Sequence, residues 1–182
     1  MTKKADSELK GKLVYLRRPA PEDEAEFVAN AQRSQRFHKG LMRLARTHDD
    51  FVRYLDRQDS EATKGFVICR IGRGPIVGVA NLSQIFYGPL KSAYLGYGLF
   101  ADFTGRGYAT DAVRLMVRYA FTKLKLHRIE ANIQPENMAS IKLVARLGFS
   151  KEGFSPKYLK IGGQWRDHER WALIRENWNT KL

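Results

Sequence analysis

Hydrophobic positions recur along the chain at two periods, and the switches between them lay out the elements. The segment KLVYLRR (12–18) reads as a strand, and PAPEDEAEFVANAQR (19–33) opens on prolines and early acids, as a helix start does. A second short helix fits HDDFVRYLDRQ (48–58), where two acids precede Phe51, Val52 and Leu55 at helical spacing. Three strands follow, GFVICRI (65–71), IVGVANLSQI (76–85) and SAYLGYGLF (92–100). They are punctuated by Gly72-Arg73-Gly74-Pro75 and Tyr87-Gly88-Pro89, and an antiparallel meander is expected. From Gly107 the period becomes 3.6. Ala109, Ala112, Val113, Met116, Val117, Ala120, Phe121 and Leu124 form one apolar stripe, while Asp111, Arg114, Arg118 and Lys125 are expected to face solvent.

His127 to Ile133 then reads as a buried strand, and Asn137 to Leu147 as a helix stopped by Gly148, so a strand, a crossover helix and a strand are expected. The closing segments GFSPKYLK (153–160) and QWRDHERWALI (164–174), joined at Gly162-Gly163, read as a hairpin. The pattern shows neither repeat nor linker, and residues 1–182 are expected to form one α/β domain.

Composition narrows the chemistry. The opening MTKKADSELK has no apolar stretch behind it, so no signal peptide is expected, and the uncharged run Pro75 to Leu90 is broken by Asn81, Gln84, Gly88 and Pro89, which does not suit a membrane span. A cytoplasmic protein is the expectation, and the lone cysteine, Cys69 in GFVICR, suits a small core residue of a reducing compartment. His38, His48, His127 and His168 show no metal-ligand spacing and read as surface residues; no metal site is expected. Thirty-two Lys and Arg against 19 Asp and Glu give a net charge of +13, which favours anionic partners. The charge concentrates between Arg33 and His48, where Arg33, Arg36, Lys39, Arg43 and Arg46 occur without an acid.

The segment Thr104-Gly105-Arg106-Gly107-Tyr108-Ala109 lies between a strand and the long amphipathic helix. Small residues let successive backbone N–H groups approach an anion there, the helix start adds partial positive charge, and a pyrophosphate is the natural guest. Arg106 offers a further charge. The bare alternative is a glycine turn that only starts a helix. A dinucleotide fold fits poorly, because Thr110 stands where a third glycine belongs and too little chain follows for more strand–helix units.

These segments together resemble the GNAT superfamily of acetyltransferases, and within it the ribosomal-protein N-acetyltransferases of the RimJ and RimL type. The resemblance runs through YLRRPAPEDEAEF, LGYGLFADFTGRGYATDAVRLMVRYAF, HRIEANIQPENMASIKLVARLGFSKEG and GGQWRDHERWAL. It implies a mixed, mostly antiparallel sheet flanked by helices and splayed in the middle for coenzyme A, with acetyl-CoA as co-substrate. The family's pyrophosphate motif falls on Thr104, Gly107 and Ala109, Thr104 replacing the usual Arg or Gln, with backbone donors from Gly105 to Ala109. By the same resemblance Leu99, Phe100 and Ala101 line the pantetheine arm, and Asn137 and Ser140 lie near the thioester. An amide there positions the arm, and a hydroxyl protonates the leaving thiolate. Read without the resemblance, Asn137 caps the helix and Ser140 sits in its first turn.

The general base stays unassigned. Tyr94 stands where relatives often carry Glu, and a phenol with a pKa of about 10 is a poor base near neutrality; Glu130 and Asp167 are the other candidates. The resemblance implies an α-amine at a protein N-terminus as acceptor, with the ribosome as a location and Arg33 to His48 meeting rRNA or an acidic acceptor, unless that stretch is only a solvated face. A small-molecule amine and a degenerate fold that binds nucleic acid are the alternatives. The sequence leaves the oligomeric state open.

Overall fold

The computed structural model describes residues 8–72 and 74–179. Among them nine strands form one sheet: β1 (Leu9–Lys10), β2 (Val14–Arg17), β3 (Asp59–Ser60), β4 (Thr63–Arg70), β5 (Ile76–Phe86), β6 (Ser92–Leu99), β7 (Arg128–Ile133), β8 (Ser150–Ile161) and β9 (Gln164–Ile174). Four α-helices accompany them, α1 (Glu24–Arg33), α2 (His48–Asp56), α3 (Tyr108–Thr122) and α4 (Met138–Arg146). The strand order is β1-β2-β4-β5-β6-β7-β9-β8, with β3 paired to β4. Every pairing is antiparallel except β6 with β7, which the α3 crossover makes parallel, as the pattern of strand, amphipathic helix and strand requires.

Each sheet face carries its own apolar cluster. On one face, Val113, Met116, Ala120 and Phe121 of α3 pack on Leu16, Leu82, Leu95 and Ile129. On the other, Phe27 of α1 and Phe51 of α2 meet Val67, Cys69, Ile76 and Phe100; the Phe27 ring lies 5.2 Å from Phe51 and 5.5 Å from Phe100. Cys69 is thus a core residue, as its neighbours suggest. The turn before α1 is held by Asp23, whose carboxylate accepts both Arg17 guanidinium nitrogens at 2.7 and 2.6 Å and the Ala20 N–H at 2.8 Å. Thr47 caps α2 by accepting the Asp50 N–H. Among the described residues no helix is long and apolar enough to cross a membrane.

Three expectations need correction. Asp111 is only 5% exposed rather than solvent-facing, because the β1–β2 turn folds over that side of α3 and gives the carboxylate backbone donors. His38 and His168 are buried, while His48 and His127 are exposed. Strand β7 is half-buried: Ile129, Ala131 and Ile133 enter the core, and Arg128, Glu130 and Asn132 alternate with them on the other face.

Candidate active site

The sheet opens where the parallel pair β6–β7 ends. Strands β6 and β7 are bonded from Ser92–Tyr94 to Arg128–Glu130 and no further. Beyond that point Leu95 to Leu99 and Ala131 to Ile133 border a cleft of about 820 Å³. The facing strand edges present backbone donors and acceptors that a ladder would otherwise satisfy, so an extended amide-bearing chain can complete both.

One end of the cleft is the glycine loop. Gly105 and Gly107 have φ of +75° and +81°, a region costly for other residues, and Gly107 is the N-cap of α3. Thr104, Gly105, Gly107, Ala109 and Thr110 line the cleft, and the first amides of α3 have no intrahelical acceptor. Arg106 is exposed and Tyr108 is buried in the core, so neither side chain lines the cleft. Leu99 lines it, whereas Phe100 belongs to the α1–α2 core and Ala101 donates its N–H to Ser34 Oγ at 2.9 Å. Lys142 and Arg146 of α4 supply the positive side chains of the wall.

Asn137 and Ser140 both line the cleft at the start of α4. Asn137 Oδ1 accepts the Ser140 N–H at 3.2 Å, so the asparagine is a helix cap with its amide Nδ2 left for the cleft. Tyr97 joins them; its hydroxyl is buried without a hydrogen bond, and burial raises its pKa while the adjacent Ser140 side chain opposes the rise.

The opposite wall belongs to the other sheet face. Tyr94 is in register with Glu130, and Glu130 with Ala172, so Tyr94, Asn132 and His168 point the same way, while Tyr97 points to the α3–α4 side. Tyr158, Leu159 and Ile161 of β8 continue this wall, and Phe37, His38, Leu41 and Met42 from the α1–α2 connection close it. His38 Nε2 donates to the Leu99 carbonyl at 2.9 Å, and burial holds its pKa below the ordinary histidine value. The basic residues of that connection turn outward: Arg33 meets Asp102 at 3.5 Å, Arg43 meets Asp50 at 3.5 Å, and Arg36 and Lys39 are exposed.

The base candidates separate cleanly. The Tyr158 hydroxyl, then burial, pushes the Tyr94 phenol up to about 12. Glu130 accepts from Arg128 Nε at 2.8 Å, and Asp167 accepts the Lys157 N–H at 2.7 Å; neither lines the cleft. No Asp or Glu lines it among the described residues. Sequence reasoning missed His38, Tyr97, Thr110, Tyr158 and His168. Strand alternation was the available signal for His168, which shares a face with buried Ala172.

Residues 14–150 match the acetyltransferase (GNAT) domain. The probable N-acetyltransferase YjcK of Bacillus subtilis (strain 168) is 35% identical over 175 residues, 91% of this chain and 96% of that protein. The [ribosomal protein uS5]-alanine N-acetyltransferase of Escherichia coli (strain K12) is 44% identical over 103 residues, 57% of this chain and 53% of that one. Among solved structures, Mycobacterium smegmatis RimJ in complex with CoA-disulfide superposes with a TM-score of 0.82 at 29% identity, over 93% of this chain and 87% of that one. A spermidine N-acetyltransferase from Vibrio cholerae, in complex with CoA and spermine, shares the fold at 22% identity, with a TM-score of 0.77 over 91% and 97% of the two chains.

Proposed function

The chain belongs to the GNAT acetyltransferase family, and on that premise we propose that it acetylates the α-amino group at a protein N-terminus. It is an N-acetyltransferase that uses acetyl-CoA. The observation that carries the acceptor reading is the acceptor wall, built from Phe37, Leu41, Met42, Tyr94, Tyr158, Leu159 and Ile161 with no carboxylate among its described residues. A polyamine brings several ammonium groups into a cleft and needs counter-charges there. A peptide N-terminus brings one, beside an amide backbone and a side chain that an apolar wall accommodates. The ribosomal acceptor named for the uS5 enzyme agrees with this reading, and the outward Arg33–Arg46 charge suits rRNA near such an acceptor. A cytoplasmic location follows from the same reading.

Bound acetyl-CoA supplies an acetyl group activated as a thioester. Backbone N–H groups of Gly105 to Ala109 hold the pyrophosphate and the open β6 edge at Leu99 holds the pantetheine amides. Asn137 Nδ2 orients the arm, and the Ser140 hydroxyl protonates the departing sulfur. The test is a thiol-release assay with peptides beginning Ala, Ser or Met against spermidine. Peptides should win by at least tenfold in kcat/KM. Preference for spermidine would overturn the acceptor reading and leave the cofactor site intact.

A further inference from the structure

The cleft contains one side chain whose chemistry suits a general base and whose geometry already selects the right nitrogen. His168 is 2% exposed, lies on β9 and lines the cleft. Its Nδ1 is 3.0 Å from the Arg166 carbonyl oxygen. A carbonyl oxygen only accepts, so the proton of the neutral ring sits on Nδ1 and the lone pair on Nε2. Nε2 is thereby the accepting nitrogen of a side chain that lines the cleft. The Tyr158 ring stands 6.1 Å away at 61° to the imidazole.

Position relative to Ser140 supplies the second argument. The β6–β7–β9 register puts His168 with Tyr94 and Asn132 on one sheet face, whereas Tyr97 and the α4 start with Ser140 lie on the other. The gap between β6 and β7 connects the faces. A thioester threaded through it would have its sulfur toward Ser140 and its carbonyl open toward the wall that carries His168. The remaining candidates on this face are spent: the Tyr94 phenol stays protonated, Glu130 and Glu152 are both paired with Arg128, and His38 donates through Nε2 to Leu99.

We propose that His168 Nε2 takes the proton from the acceptor ammonium, while Ser140 serves the leaving sulfur from the opposite face of the sheet. The assignment rests on the amine-acetylation reading above. The ammonium gives one proton to Nε2, leaving imidazolium and a neutral amine. The amine lone pair forms a bond to the thioester carbonyl carbon. As the tetrahedral adduct collapses, the C–S bond breaks, and the second N–H proton reaches sulfur by way of the Ser140 hydroxyl. Amide and thiol are released, and His168 returns its proton to solvent through the cleft mouth. The cation only moves from substrate to His168, so the first step adds no net charge to a cleft that no carboxylate lines among the described residues.

Among the described residues, the titratable or charged groups on the face of His168 are Tyr94 from β6, Arg128 and Glu130 from β7, Tyr158 and the Arg128-bound Glu152 from β8, Arg166 and Arg170 on its own strand, and His38 from the α1–α2 connection. Of these, only a histidine ordinarily changes charge between pH 5 and 8. His168→Asn tests the assignment, because the Asn amide can replace the Nδ1 donation to Arg166 while removing the base. The acceptor is whichever of an alanyl peptide and spermidine the parent uses faster, so a wrong acceptor class is read separately in the parent.

The expected result is a drop in kcat of about 10²- to 10⁴-fold, with acetyl-CoA affinity unchanged by calorimetry. The acid limb of kcat/KM should give way to a rise that follows the amine's own deprotonation, and imidazole should restore activity to His168→Gly. His168→Gln is the second variant should the Asn protein fail to bind acetyl-CoA. A folded variant of either kind with the parental rate and the parental acid limb would overturn the proposal.

Discussion

Asp111 Oδ2 accepts the Leu13 N–H at 2.7 Å and the Val14 N–H at 3.1 Å, so one buried carboxylate joins the β1–β2 turn to the first turn of α3. The contact lies directly behind the glycine loop, since a Cβ on Gly107 would stand 3.2 Å from Leu13 Cδ1. Asp111 therefore acts on the fold and on the loop together. Asp111→Ala leaves two backbone donors unpaired and should cost about 2 to 4 kcal/mol in urea unfolding. Asp111→Asn, which keeps an accepting oxygen, should lose less. Acetyl-CoA affinity of the folded Ala variant should fall as well, and unchanged stability and affinity would remove Asp111 from the support of the loop.

The two loop glycines should separate on substitution. Both have positive φ, which costs a residue with a Cβ about 1 to 2 kcal/mol. A Cβ at Gly105 meets nothing within 4 Å, whereas one at Gly107 presses on Leu13 at the helix start. Gly105→Ala should retain most acetyl-CoA affinity, Gly107→Ala should lose more, and Gly107→Glu should abolish binding. Calorimetry on folded variants checks the order, and equal affinity for Gly107→Glu and the parent would refute the loop as the pyrophosphate site.

The elements were legible because their periods are strong: the α3 stripe from Ala109 to Phe121 and the meander through β4, β5 and β6 stand where the pattern puts them. Asp111 was not, because a helical period states which side is polar and not whether a distant turn will cover it. Gly11 permits that cover, since a Cβ there would overlap the Asp111 carboxylate at 2.4 Å. The connection from Arg33 to His48 misleads in the opposite way. Its charges dominate composition, yet Phe37, His38, Leu41 and Met42 are the residues that enter the cleft. Single histidines carry no spacing of their own. His38 and His168 acquire meaning only from the Leu99 and Arg166 carbonyls that hold them.

His38 predicts a pH dependence of stability with a definite sign. Burial lowers its pKa below the ordinary 6.5, and the bond to the Leu99 carbonyl opposes this only in part. As pH falls through about 6.5 the unfolded chain takes up the proton before the folded one, so the unfolded state binds more protons and stability falls with pH. His38→Gln keeps an N–H donor for Leu99 and removes the titration. Its melting temperature should therefore decline less than the parent's between pH 7 and 5. His48, raised by Glu24, has the opposite sign and is present in both proteins, so it cancels in the comparison. Parallel declines would show that His38 is not protonated on unfolding.

Ser140 and Tyr97 should behave as one unit in turnover. Ser140 occupies the first turn of α4 with its N–H held by Asn137, and the buried Tyr97 hydroxyl beside it makes no hydrogen bond. Burial keeps the Tyr97 phenol protonated near neutrality, so it can donate to the Ser140 oxygen as the serine proton moves to sulfur. Ser140→Ala should lower kcat more than it weakens acetyl-CoA binding, because charge develops on sulfur only in the transition state. General acid catalysis is commonly worth about a hundredfold, but a thiolate leaves readily, so a loss of about tenfold is expected for the single variant. Tyr97→Phe should cost less. If the two hydroxyls form one relay, removing either one breaks it, so the double variant should lose less than the product of the single losses. The measurement is a double-mutant cycle in kcat at saturating acetyl-CoA. Strict additivity would show that the hydroxyls act separately, and parental turnover in folded Ser140→Ala would reduce the serine to a helix-start residue.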